Sequence, residues 1–155
     1  PAARELLALP ARPSLEATKK ALAPSIPAWR RMPSLATRCL GLLARERRHD
    51  VAVQVLAAMR KAKVGCNTIH FNAAITACTK GSDWRAALGL LARMRGDSLE
   101  PDSCSYNAAA SACEKAAQWQ CALELLAGMP HVGLEPETIS YSAVISACEK
   151  AARWR

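Results

Sequence analysis

Asn72 and Asn107 stand 35 residues apart, inside segments that otherwise favour helix. Asparagine is a poor helix former, so its recurrence at one place suggests a task. A carboxamide both donates and accepts hydrogen bonds, which suits recognition of a polar edge. A local bond to the backbone near the first helical turn is the other reading. Lys80, Lys115 and Lys150 recur at the same step, as do Cys78, Cys113 and Cys148. The lysines suit contact with an anion, or simple capping at the negative end of a helix dipole. No set for catalysis is present: no Gly-rich phosphate loop, no HExxH, no Ser-His-Asp grouping and no paired catalytic carboxylates. His49, His70 and His131 are scattered without metal spacing, and the seven Cys contain no CxxC pair. The expectation is a binding protein, not an enzyme, with no cofactor, no metal and no small-molecule substrate.

The elements that position these residues follow from the repeat itself. Trp84, Trp119 and Trp154 keep the 35-residue step, and Met59, Met94 and Met129 keep it one unit earlier. Each unit reads as two helices. The first runs roughly from Ile69 to Thr79 and is rich in Ala. Lys80-Gly81-Ser82-Asp83 breaks it, with Gly81 suited to a helix C-terminus and Ser82 or Asp83 to capping the next helix. The second helix carries Trp84, Ala87, Leu88, Leu91 and Met94 on one face. Leu99-Glu100-Pro101-Asp102 and Leu134-Glu135-Pro136-Glu137 close successive units, and Pro ends the helix there. One such hairpin cannot bury its apolar face alone, so copies must stack. The expected fold is all-α: a right-handed superhelical α-α solenoid of helix-turn-helix repeats with a concave face. Residues 68–102 and 103–137 are repeats, 138–155 opens a further one, and 33–67 is a degenerate copy with His49 at the Trp position. Residues 1–32 do not fit the register and read as a cap, a linker or part of a transit peptide.

Composition agrees with this picture. The chain has 155 residues, 51% of them apolar and 22% charged. That supports one modest folded domain and excludes a disordered polyelectrolyte. Apolar runs are too short for a membrane span. The net charge of +8 is uneven. Residues 1–67 hold thirteen Lys and Arg against four Asp and Glu, whereas residues 68–155 hold eight against nine. The basic clusters Arg45-Glu46-Arg47-Arg48 and Arg60-Lys61-Ala62-Lys63 are solvated faces or a source of phosphate attraction. The Trp column reads as inter-repeat packing and the Cys column as small-residue helix packing with reduced thiols. Beginning at Pro1 and ending within a repeat, the chain reads as a fragment.

The period, the opening Phe71-Asn72 or Tyr106-Asn107, the central Ala-Leu and Met, and the closing Leu-Glu-Pro-Asp together resemble the pentatricopeptide repeat (PPR) family. The resemblance covers residues 33–155 and is strongest from residue 68. The tetratricopeptide signature, with its 34-residue period, is absent. The resemblance implies a reader of single-stranded RNA, about one base per repeat, in a chloroplast or mitochondrion. It implies other RNA-processing proteins as further partners, and no membrane.

In the family, base choice follows the fifth and last residues of each repeat. Carried over, the pairs are Thr37 with Asn67, Asn72 with Asp102, and Asn107 with Glu137; Ser142 opens a fourth whose partner lies beyond Arg155. They imply a ligand resembling 5′-A-U-(U or C)-3′. The second residues, Ile69, Cys104 and Ile139, would sandwich bases, Cys104 and Ser34 more weakly than Ile. Arg45, Lys80, Lys115 and Lys150 would face phosphates. Two other functions compete: a protein-binding scaffold of tetratricopeptide type, and the RNA-targeting part of an enzyme whose catalytic domain follows residue 155.

Overall fold

A computed structural model describes residues 2–151 of the chain. Helices α1 (Ala2–Leu7), α2 (Leu15–Leu22) and α3 (Ile26–Arg31) precede four helices that begin the repeats and three that close them. The first helices are α4 (Ser34–Arg45), α6 (Thr68–Lys80), α8 (Ser103–Lys115) and α10 (Thr138–Ala151). The second helices are α5 (His49–Lys61), α7 (Trp84–Gly96) and α9 (Trp119–Gly128). No strand occurs among the described residues. The fold is an all-α repeat solenoid.

Packing follows the chain order. The first helices form one file, α4 against α6, α6 against α8 and α8 against α10. Each of α6, α8 and α10 also packs on the second helix of the preceding repeat, so every hairpin is closed by its neighbour. Small residues make the close file possible. Ala74, Ala77 and Cys78 of α6, and Ala109, Ala112 and Cys113 of α8, are fully buried. Large side chains fill the space beside them: Leu43, Leu56, Met59, Phe71, Ile75 and Met94 are buried completely or nearly so. Each such burial contributes about 1.5–3 kcal/mol. The core thins towards α9, which fully buries only Ala122. Pro130 lacks an N–H and turns the chain into a short 3-10 helix, Pro130–Val132, so α9 has 10 residues where α7 has 13.

Both turns of the repeat are built from one backbone motif. At the end of α6, Asp83 N–H donates to Cys78 C=O at 2.9 Å and Ser82 N–H to Thr79 C=O at 3.2 Å. That is the Schellman pattern, which requires a left-handed residue between the paired bonds. Ser82 supplies it, with φ 57°; Arg47 (56°) and Ala117 (54°) do so at the same repeat position. Lys63 (53°), Ser98 (58°) and Gly133 (77°) form a second such column, after the second helices. Gly81 caps the C-terminus of α6 as the sequence suggests, but with φ −82° it is Ser82 after it that takes the left-handed conformation. The lack of a side chain at Gly81 answers a different need. A Cβ there would overlap the His49 imidazole, lying 2.7 Å from both Cγ and Cε1. Of the two sequence-proposed caps, Asp83 does the work, accepting from Ala86 N–H at 3.1 Å.

Residues 2–31 pack on the first repeat. Leu6, Leu22 and Trp29 are buried in the common core, α1 touches α4, and α2 touches α5. Arg48 binds this segment through its guanidinium, which donates to the carbonyls of Leu7, Leu9 and Pro10 at 3.0–3.2 Å. Arg12 takes φ 56°, 35 residues before Arg47. The backbone repeat thus reaches one turn further towards the N-terminus than the side-chain register, which fades before residue 33.

Candidate nucleic-acid interface

Each first helix buries the faces that touch its neighbours, leaving one stripe open. In α6 the stripe carries Ile69, Asn72, Thr76 and Lys80, and in α8 Cys104, Asn107, Ser111 and Lys115. These positions share one helical face. Ile69 and Ile139 are 59% and 62% exposed, a level of apolar exposure that core packing does not explain. Cys104 is exposed between them in sequence order, and Ser142 holds the equivalent of the Asn position on α10. Because the first helices lie side by side, the stripes join into one surface.

The three sequence-proposed pairs fare differently. Asn72 and Asp102 meet: Asn72 Nδ2–H donates to Asp102 Oδ1 at 3.1 Å. Asn107 and Glu137 come to the same joint without a side-chain bond between them; Asn107 Oδ1 instead lies 2.7 Å from Ser140 Oγ. Thr37 is half-buried and forms no bond to Asn67 among the described residues. The closing residues Asn67 and Asp102 also cap helices. Asn67 Oδ1 accepts from His70 N–H at 3.1 Å, and Asp102 Oδ1 from Ser105 N–H at 2.9 Å. Burial works against the Asp102 carboxylate, but bonds from the Ser105 backbone and hydroxyl and from Asn72 hold its pKa below the usual value.

Sequence reasoning missed the third residue of these joints. His70, Ser105 and Ser140 also recur at 35 residues, and all three are buried. The 35-residue spacing of a polar residue on a buried face was the available signal. Ser105 Oγ accepts from Asp102 N–H at 3.1 Å and reaches Asn72 Oδ1 at 2.6 Å. In the first joint the imidazole replaces the hydroxyl. His70 Nδ1 accepts from Asn67 N–H at 3.1 Å, and Nε2–H donates to Pro33 C=O at 3.0 Å.

The cations end the stripe. Arg45, Lys80 and Lys115 are exposed in the last turns of α4, α6 and α8, where positive charge complements the helix dipole. Lys150 differs, since its Nζ is 2.5 Å from Glu114 Oε1, which also accepts from Ser146 at 2.9 Å. The Lys150 bond, opposed by partial burial and aided by Ser146, lowers the Glu114 pKa. Cys78 and Cys113 are buried, and burial pushes both thiols up to about 12, so they pack rather than react. Trp84 packs against the core with Arg85 5.2 Å above its ring, whereas Trp119 is 42% exposed. Trp154 lies outside the described residues. Among the described residues there is no cluster fit for a metal ion, and no helix is long and apolar enough to cross a membrane.

Comparison with known proteins agrees with the architecture. A family model described as pentatricopeptide repeat-containing protein matches residues 34–118, and another, described as pentatricopeptide repeat domain, matches residues 90–151. No curated protein matches the chain. The stacked hairpins, their constant step and the two matches lead to one conclusion: the chain belongs to the pentatricopeptide repeat family, whose helical repeats generally bind RNA.

Proposed function

We propose that the chain is a non-catalytic, sequence-selective module for single-stranded RNA, reading about one base per repeat in organelle RNA processing, stability or translation. The observation that carries this reading is the joint of Asn72 and Asp102 on an exposed stripe. Their mutual bond uses one Nδ2 proton and Asp102 Oδ1. One amide proton of Asn72 and Asp102 Oδ2 are left for a ligand. A donor beside an acceptor complements the O4 and N3–H edge of uracil. Ile69 and Cys104, each three residues before its Asn, supply apolar surface for the faces of a base. Arg45, Lys80, Lys115 and, less freely, Lys150 supply charge for phosphates.

Magnitudes bound the affinity. Stacking on protein surfaces contributes ~1–3 kcal/mol per base, against an association cost of ~4–15 kcal/mol. Three joints therefore bind RNA weakly, and submicromolar binding by residues 1–155 alone would contradict the proposal. The direct test is selection from a random single-stranded RNA pool. Enrichment of a short motif that shifts on changing Asn72 and Asp102 supports base reading. A folded, helical chain that enriches nothing favours the protein-binding scaffold instead.

A further inference from the structure

We infer that Ser105 and Ser140 are positioning residues for base discrimination: from the following repeat, their hydroxyls fix which way the Asn72 and Asn107 carboxamides face. The inference rests on the RNA reading proposed above, and concerns what sets its selectivity.

A serine hydroxyl has a single proton to donate. Ser105 Oγ already accepts from Asp102 N–H at 3.1 Å, so its proton is free for another partner. Two acceptors are in reach, Asn72 Oδ1 at 2.6 Å and Asp102 Oδ1 at 2.8 Å. Asp102 Oδ1 is already served by Ser105 N–H at 2.9 Å and Asn72 Nδ2–H at 3.1 Å. The hydroxyl proton is shared between the two, and its contact with Asn72 Oδ1, the shorter, closes a ring of Ser105, Asn72 and Asp102. A reversed carboxamide would set its oxygen against the Asp102 carboxylate, acceptor against acceptor. The ring thus dictates that the outward group of Asn72 is an N–H.

The other joints act as internal controls. At Asn107 the hydroxyl of Ser140 lies 2.7 Å from Oδ1, but no bond from Glu137 to Asn107 exists among the described residues. Ser140 there bears the orientation alone. At Thr37 the equivalent residue is His70, whose ring nitrogens bond the Asn67 backbone and Pro33 and form no hydrogen bond to the Thr37 side chain among the described residues. Ser105 and Ser140 are 0% and 2% exposed, so neither can contact RNA directly. Any effect on base choice must pass through the Asn or, at Ser105, through the Asp102 carboxylate that its hydroxyl also touches.

The test compares the full chain with S105A, S105T, S140A and S140T on single-stranded RNAs that vary one nucleotide at a time. Loss of one such bond is expected to reduce the preference for the best base over the next by roughly fivefold. S105A should act at one nucleotide only, and S140A at its neighbour, with the larger loss because Asn107 has no second anchor. The threonine variants should restore the preference. A uniform loss of binding to all four bases, or an unchanged preference, would overturn the inference. A wild-type chain with no base preference would overturn the RNA reading itself, and the inference with it. An RNA-free measurement separates the two. The Asn72 side-chain amide should give a distinct, slowly exchanging NMR pair that S105A collapses towards the signals of mobile asparagines. No change in that pair would refute the orienting role whatever the RNA result.

Discussion

Gly81→Ala sets two effects of known sign against each other. The Gly81 φ of −82° is open to any residue, so alanine adds no backbone strain. By restricting the unfolded chain, the change would stabilise by about 0.4–1 kcal/mol. Against that stands the His49 ring, with Cγ and Cε1 at 2.7 Å from the new methyl. The ring lies beside the α7 cap, with Nε2 3.5 Å from Asp83 Oδ2, so moving it disturbs that contact. Overpacking of this kind costs about 1–3 kcal/mol. The net expectation is a loss of about 1 kcal/mol, or a Tm lowered by roughly 2–4 °C. In a His49→Ala background the same change should instead stabilise, so the double-mutant cycle should show coupling of at least about 1 kcal/mol. Urea unfolding followed by far-UV circular dichroism measures all four proteins. A coupling below about 0.3 kcal/mol, or a G81A chain more stable than wild type, would refute the steric account.

Further predictions concern the turns, the carboxylate and the cations. Ala117→Gly should stabilise by about 0.5–1 kcal/mol and Gly133→Ala should destabilise by about 1 kcal/mol, since both positions are left-handed. Matching denaturation midpoints would show that the turn conformation carries no cost. The Asp102 pKa is lowered on folding, so its contribution is full above the ordinary carboxylate range and is lost as pH falls through the folded value. A pH series of unfolding midpoints should therefore be flatter for Asp102→Asn than for wild type below that range. Lys80→Ala and Lys115→Ala should each reduce the slope of log affinity against log salt by about 0.7 for single-stranded RNA. Lys150→Ala should reduce it less, because Glu114 already holds that ammonium. Equal slopes for all three variants would argue against phosphate contact.

The sequence revealed what depends on side-chain identity at a fixed step. The Ala and Cys positions of α6 and α8 and the Met positions of the second helices are buried as their spacing implied, and Lys80 and Lys115 stand in the last turns of their helices. The turns were harder to read, because a Schellman end is a property of the backbone. It accepts Arg47, Ser82 and Ala117 at one site, so no residue type marks it, and Gly81 marks the end of α6 without being the left-handed residue. Ser105 and Ser140 were hidden for a related reason. Each sits among other small polar residues near a helix start, and only burial distinguishes it from its neighbours. The restraint on Lys150 was invisible because its partner, Glu114, stands one repeat away where the preceding unit has Thr79.

The two columns of left-handed residues share no position with Asn72, Asp102, Asn107, Lys80 or Lys115. Structurally, the chain keeps its ruler apart from its letters. On the RNA reading proposed above, the interval between successive bases is set by joints whose left-handed residues vary in type, and the identity of each base is set elsewhere. Letters can then be exchanged without altering the interval. The interval can equally be stiffened or relaxed, by adding or removing glycine at the joints, without rewriting a letter. A physical test of this independence is already contained in Ala117→Gly: it should change the melting curve and leave the order of base preferences where it was.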